Sequence, residues 1–136
     1  MSIRSEFLPV RWACAVPVAV RRALFALALG TVAFISLWPH EQLEEHVSVG
    51  IRNRDYLVHA ICYAGLSALA LWAFGRRGRP WRSRGGAVVF CFLFGALMEA
   101  LQTLPVIGRS ASLDDVLHNL LGAAIGCLLA WPAIWP

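Results

Sequence analysis

The chain has 136 residues, 59% of them hydrophobic and only 15% charged, against roughly 25% charged in an ordinary soluble domain, and its mean hydropathy is +0.64. That balance excludes a water-soluble globule. The net charge of +4 and the pI near 9.3 rest on arginine alone, and the arginines fall between apolar runs, which excludes a nucleic-acid-binding surface.

Residues 1–22 read as a cytoplasmic or interfacial lead-in. The stretch 7–20 is apolar but interrupted by Pro9, Arg11 and Pro17, which suits a helix lying in the membrane interface better than a cleaved signal. Arg21 and Arg22 before an apolar run have the look of a twin-arginine export signal, but the run ends in LWPH without a small-residue cleavage site. The first span is therefore expected to be retained.

From 23 to 136 the pattern predicts one all-α domain, a four-helix transmembrane bundle with spans at 23–39, 56–74, 86–104 and 116–134. Each is near the roughly 20 residues that cross about 30 Å of hydrocarbon. The first loop is polar, and its EQLEEH stretch suits a short helix outside the membrane. The second, GRRGRPWRSRG, reads as an irregular turn. The third is a short hairpin, with Pro105 stopping the third helix and Ser112 or Asp114 available to cap the fourth.

Arg4, Arg11, Arg21 and Arg22 precede the first span, and Arg76, Arg77, Arg79, Arg82 and Arg84 crowd the loop between the second and third. The other two loops hold Arg52, Arg54 and Arg109 beside Glu41, Glu44, Glu45, Asp55 and Asp114. By the positive-inside rule both termini and the central loop are expected to be cytoplasmic. Trp38, Trp72, Trp81, Trp131 and Trp135 near the span ends mark the interfaces. Cys14, Cys62, Cys91 and Cys127 lack paired spacing and read as small core residues.

Three polar ladders interrupt the spans. Asp55, His59 and Tyr63 recur at steps of four and descend one face of the second helix over roughly 12 Å at 1.5 Å per residue. Glu99 and Gln102 share a face of the third, and Asp115, Asn119, Gly122 and Gly126 share a face of the fourth. With the second helix entering from outside, all three ladders lie in the outer half of the bilayer. Facing lipid they would be costly, so they are expected to face one another in a buried polar pocket. The GxxxG pair Gly122 and Gly126 continues one ladder and is expected to be the packed face.

For one such residue the plain alternative is architecture: Glu99 paired with Arg109 would hold helices three and four together. Eight such groups in one leaflet exceed what helix association requires, since an interhelical hydrogen bond in membranes stabilises by only about 0.6 kcal/mol on average. As a working site, Arg109 offers a planar fork for phosphate or carboxylate, with Tyr63, Gln102 and Asn119 completing a substrate-binding set. His59, Glu99, Asp115 and Asp55 supply the acid and base groups of a catalytic set. The residue types of His59, Glu99, Asp55 and Asp115 can also ligate a metal, but no tight spacing such as HExxH is present, and neither metal nor cofactor is expected. His118 lies at the rim, and His40 and His46 fall in the first loop.

The segments DYLVHAICYAGL and EALQTLPVIGRSASLDDVLHNLLGAAIG closely resemble the VanZ-like family of small bacterial membrane proteins. The resemblance covers about half the chain. Its pattern of an Asp, a His and a Tyr at steps of four matches Asp55, His59 and Tyr63, and the downstream pattern matches Glu99, Gln102, Arg109, Asp115, Asn119, Gly122 and Gly126. Tyr56 replaces a basic residue usual in the family, and Ala60 an aromatic. The resemblance implies a multi-helix integral membrane protein of the cell envelope, in a family named for a member linked to low-level teicoplanin resistance.

Three functions compete. The first is binding or processing of an anionic lipid-linked substrate, such as a polyprenyl phosphate or a cell-wall precursor. The second is a proton-linked small transporter, for which four spans make a thin wall unless the chain forms a homo-oligomer. The third is a structural or accessory membrane subunit.

Overall fold

The structure, a computed structural model, describes residues 15–38, 54–76, 78–107 and 111–134, and of 54, 55 and 131–134 the backbone alone. Among the described residues there are four helices: α1 (Val18–Ser36), α2 (Arg54–Phe74), α3 (Pro80–Gln102) and α4 (Leu113–Ile134). All four are long and apolar enough to cross a membrane, and the described residues contain no strand. The expected interfacial helix at 7–20 falls largely outside the described residues, and the short helix of the first loop falls outside them entirely.

All four helices begin ahead of the apolar runs. α1 starts at Val18, so Arg21 and Arg22 are helical; Arg21 Nη1 donates to the Trp72 carbonyl at 3.0 Å, and the Arg22 guanidinium lies 5.3 Å from the Phe74 ring. α3 starts at Pro80, whose fixed φ and missing N–H suit the first helical position, and takes Arg82 and Arg84 into its first turns. α4 starts at Leu113, with Ser112 as its cap. A helix need not stop where its apolar run stops, because arginine can lay its stem along the neighbouring helix while its head reaches the polar region.

The contacts fix the directions. Gly122 packs on Ala60 and Gly126 on Ala64, the same step on both helices, so α2 and α4 run parallel. Asn119 meets Gly95, while Cys127 Sγ approaches the Arg84 carbonyl, so α3 runs antiparallel to α4. Gln102 reaches Ser36 and Phe25 meets Phe90, so α1 runs parallel to α3. α2 and α4 form the closest pair, with α3 against both and α1 packed mainly on α2. A Cβ on Gly122 or Gly126 would overlap the Ala60 or Ala64 carbonyl, which is why glycine stands there.

The core is made of small and medium side chains: Tyr63, Leu66, Ala70, Ala73, Ala87, Cys91, Ala123 and Cys127, closed at one end by Phe25. Phe25 packs edge-on against Phe74 with centroids 5.3 Å apart. Leu27, Phe34, Leu57, Ile61, Leu93, Leu97, Leu128 and Leu129 are exposed, as a lipid-facing surface requires. Cys62, Cys91 and Cys127 are free thiols within the spans.

Candidate functional site

The bundle has two chemically different ends. At the arginine end, a cavity of about 520 Å³ is lined by Phe25, Phe74 and Phe90 together with Arg76, Arg79 and Arg82. At the other end, α2, α3 and α4 bring the polar ladders together.

This second cluster is built from helix faces. On α3, Cys91, Gly95, Glu99 and Gln102 form one buried stripe. On α4, Asn119, Gly122, Ala123, Gly126 and Cys127 form another. Between them, the α2 stripe contributes His59, Tyr63 and Ser67. Glu99 is only 3% exposed, and Asn119 1%.

Two hydrogen bonds tie the cluster together across helices. His59 Nδ1–H donates to Asn119 Oδ1 at 2.9 Å, because an amide oxygen can only accept, and this leaves the lone pair on Nε2. The Ser112 backbone N–H donates to Glu99 Oε2 at 3.0 Å. Ser112 also caps α4, its hydroxyl accepting the Asp115 N–H at 3.3 Å. Of the two residues that the sequence offered as caps, Ser112 takes the role.

Asp115 completes the group. His59, Glu99 and Asp115 come from three helices, yet one ligand-type atom of each lies within 4.8 Å of the other two. Asp115 Oδ1 is shielded from solvent and has no hydrogen-bond partner among the described residues. Two carboxylates and an imidazole so placed can share protons, hold a cation or steer an incoming polar group.

The remaining residues of the expected site divide. Tyr63 is buried beside Gly95 and Asn119. Gln102 is buried too, but its Nε2 donates to the Ser36 carbonyl at 2.8 Å, which ties α3 to α1 rather than to the cluster. His118 lies apart from the cluster, with Nδ1 bonded to the Asp114 carbonyl and its ring stacked on Tyr56. Asp55 lies in the first turn of α2, but its side chain lies outside the described residues, as does Arg109 altogether.

Sequence reasoning missed two members. Gly95 makes room for the cluster: a Cβ there would lie 2.9 Å from Asn119 Nδ2 and 3.2 Å from Tyr63 Cε1. Ser67 is fully buried against Gly126, its hydroxyl donating to the Ala64 carbonyl at 3.0 Å. Helical spacing would have found both, since Gly95 is one step of four before Glu99 and Ser67 one step of four after Tyr63.

Four apolar helices around a buried intramembrane polar cluster define a multi-pass membrane protein with a specialised interior. The chain belongs to the VanZ/LLP1 family, whose model matches residues 20–135. No curated protein and no solved structure matches it significantly.

Proposed function

We propose that this VanZ/LLP1 protein binds or processes an anionic lipid-linked substrate, a polyprenyl phosphate or cell-wall precursor, at the cluster of His59, Glu99, Asp115 and Asn119. The observation that carries the reading is the burial of Glu99 at 3% exposure beside Asp115 and His59, at the end of the bundle opposite Arg76, Arg79 and Arg82. A charge in hydrocarbon costs several kcal/mol without compensation, and such groups mark substrate or ion pathways. Arginines concentrate on the cytoplasmic side of membrane proteins, so both termini face the cytoplasm of a bacterial inner membrane and the cluster lies toward the outside.

In this reading Arg109 anchors the phosphate, and Tyr63, Asn119 and Gln102 shape the pocket around it. Asp55 joins His59, Glu99 and Asp115 as acid and base groups. The link to teicoplanin resistance would be one cellular outcome of handling such a lipid.

Native mass spectrometry of the purified protein tests the reading. The wild type should retain an isoprenoid phosphate or phospholipid mass, and Arg109→Lys should lose most of it while its helical circular dichroism is unchanged. Equal retention by both would remove Arg109 as the anchor; no lipid on the wild type would count against the substrate class.

A further inference from the structure

We infer that His59, Glu99 and Asp115 form a three-ligand site for a divalent transition-metal cation, Zn2+ or Mn2+, where α2, α3 and α4 meet. The three residues lie on separate helices, so no linear spacing announces them, yet their ligand-type atoms fall within 4.8 Å of one another. Bonds of about 2.1 Å to a metal hold neighbouring ligand atoms about 3.4 Å apart. Rotamer adjustments that bring paired atoms up to about 1.4 Å closer would close the difference.

The helix cap supplies the second line of argument. Ser112, Leu113, Asp114 and Asp115 have the spacing of a capping box, in which the acidic side chain at the third helical position would accept the N–H of the capping residue. Here the Ser112 N–H goes instead to Glu99 Oε2, on another helix. Asp115 is thereby released from capping, and its Oδ1 is left shielded from solvent with no hydrogen-bond partner among the described residues. A buried carboxylate oxygen without a donor is costly, and a cation satisfies it.

The imidazole is prepared in the same sense. Asn119 Oδ1 holds the Nδ1 proton, which presents the Nε2 lone pair, the way in which metal-binding histidines are commonly oriented by a neighbouring acceptor. Two carboxylates held together in surroundings of low polarity repel one another, and a dication removes that repulsion. One imidazole and two carboxylates suit Zn2+ or Mn2+ rather than a soft metal that seeks thiolates. Three protein ligands leave a position for water or a phosphate oxygen.

The test uses the full chain, without a histidine tag, in detergent, stripped with EDTA and then titrated with Zn2+ or Mn2+. Metal analysis should show close to one ion per chain, with a rise in melting temperature on loading. Asn119→Ala should weaken binding by about 10- to 100-fold, and His59→Ala, Glu99→Gln and Asp115→Asn by more. His118→Ala should bind as the wild type does.

Two results would overturn the inference: no stoichiometric uptake by folded wild type, as expected if Arg109 compensates the carboxylates, or unchanged affinity in Asp115→Asn and His59→Ala. The measurement needs no lipid, so it is separable from the proposed substrate. Metal uptake without retained lipid phosphate supports the centre and counts against that substrate.

Discussion

Ser112 and Glu99, thirteen residues apart, meet through a 3.0 Å hydrogen bond from the backbone N–H of the one to the carboxylate of the other. The bond joins the end of α3 to the cap of α4, while the Ser112 hydroxyl accepts the Asp115 N–H. One residue thus positions two carboxylates.

Ser112→Ala removes only the capping hydroxyl and keeps the N–H. It should destabilise the protein by about 1 kcal/mol, the usual cost of losing such a cap, and should fray the first turn of α4. Thermal denaturation in detergent with hydrogen exchange at 113–116 reads both effects. An unchanged melting temperature would mean that the cap contributes little.

Gly122→Ala and Gly126→Ala place a methyl group against the Ala60 and Ala64 carbonyls. Each should cost about 1–3 kcal/mol through forced separation of α2 and α4. Gly65→Ala, with nothing within 4 Å of the added atom, should be neutral or stabilise by up to about 1 kcal/mol through helix propensity. The contrast between the variants, measured by thermal denaturation, isolates helix approach from propensity.

Asn119→Leu removes the acceptor that holds the His59 Nδ1 proton. In 15N-histidine spectra of metal-free protein, His118, whose Nδ1 faces the Asp114 carbonyl, and His59 should both show the Nδ1–H tautomer, and only His59 should lose that preference in the variant. If no histidine besides His118 shows that tautomer in the wild type, the proton position assigned to His59 is wrong.

Gln102→Leu cuts the hydrogen bond to the Ser36 carbonyl. The loss should be about 0.6–1.7 kcal/mol, the range for interhelical bonds in membranes. Hydrogen exchange should quicken in the last turn of α1 while α2 and α4 are unaffected. Equal quickening throughout would show that Gln102 acts on the whole bundle rather than on one tie.

Much of this arrangement was legible in the sequence because helical spacing survives folding. The ladder from His59 to Tyr63 and the stripe from Asn119 through Gly126 follow from residue intervals alone, and the GxxxG pair identified the packed face before any neighbour was known. Which helices would touch was less legible. Short loops favour sequential neighbours, whereas the closest pair is α2 with α4, selected by glycines that admit the Ala60 and Ala64 backbones. Gln102 shows the same limit: its spacing puts it on the face of Glu99, yet a carbonyl at the end of α1 captures it. The convergence of His59, Glu99 and Asp115 was foreseen as a polar pocket, but their separations depend on three helix rotations that no linear pattern encodes.

The pairing of His59 with Asn119 spans sixty residues of chain, and this has a biosynthetic consequence. When α2 leaves the ribosome its imidazole has no mate, and Glu99 follows with its own still unsynthesised. Both must await the last part of the chain, so a nascent chain halted before residue 112 would carry these groups without these partners through the translocon. Assembly of the cluster is therefore a late event, coupled to completion of the polypeptide.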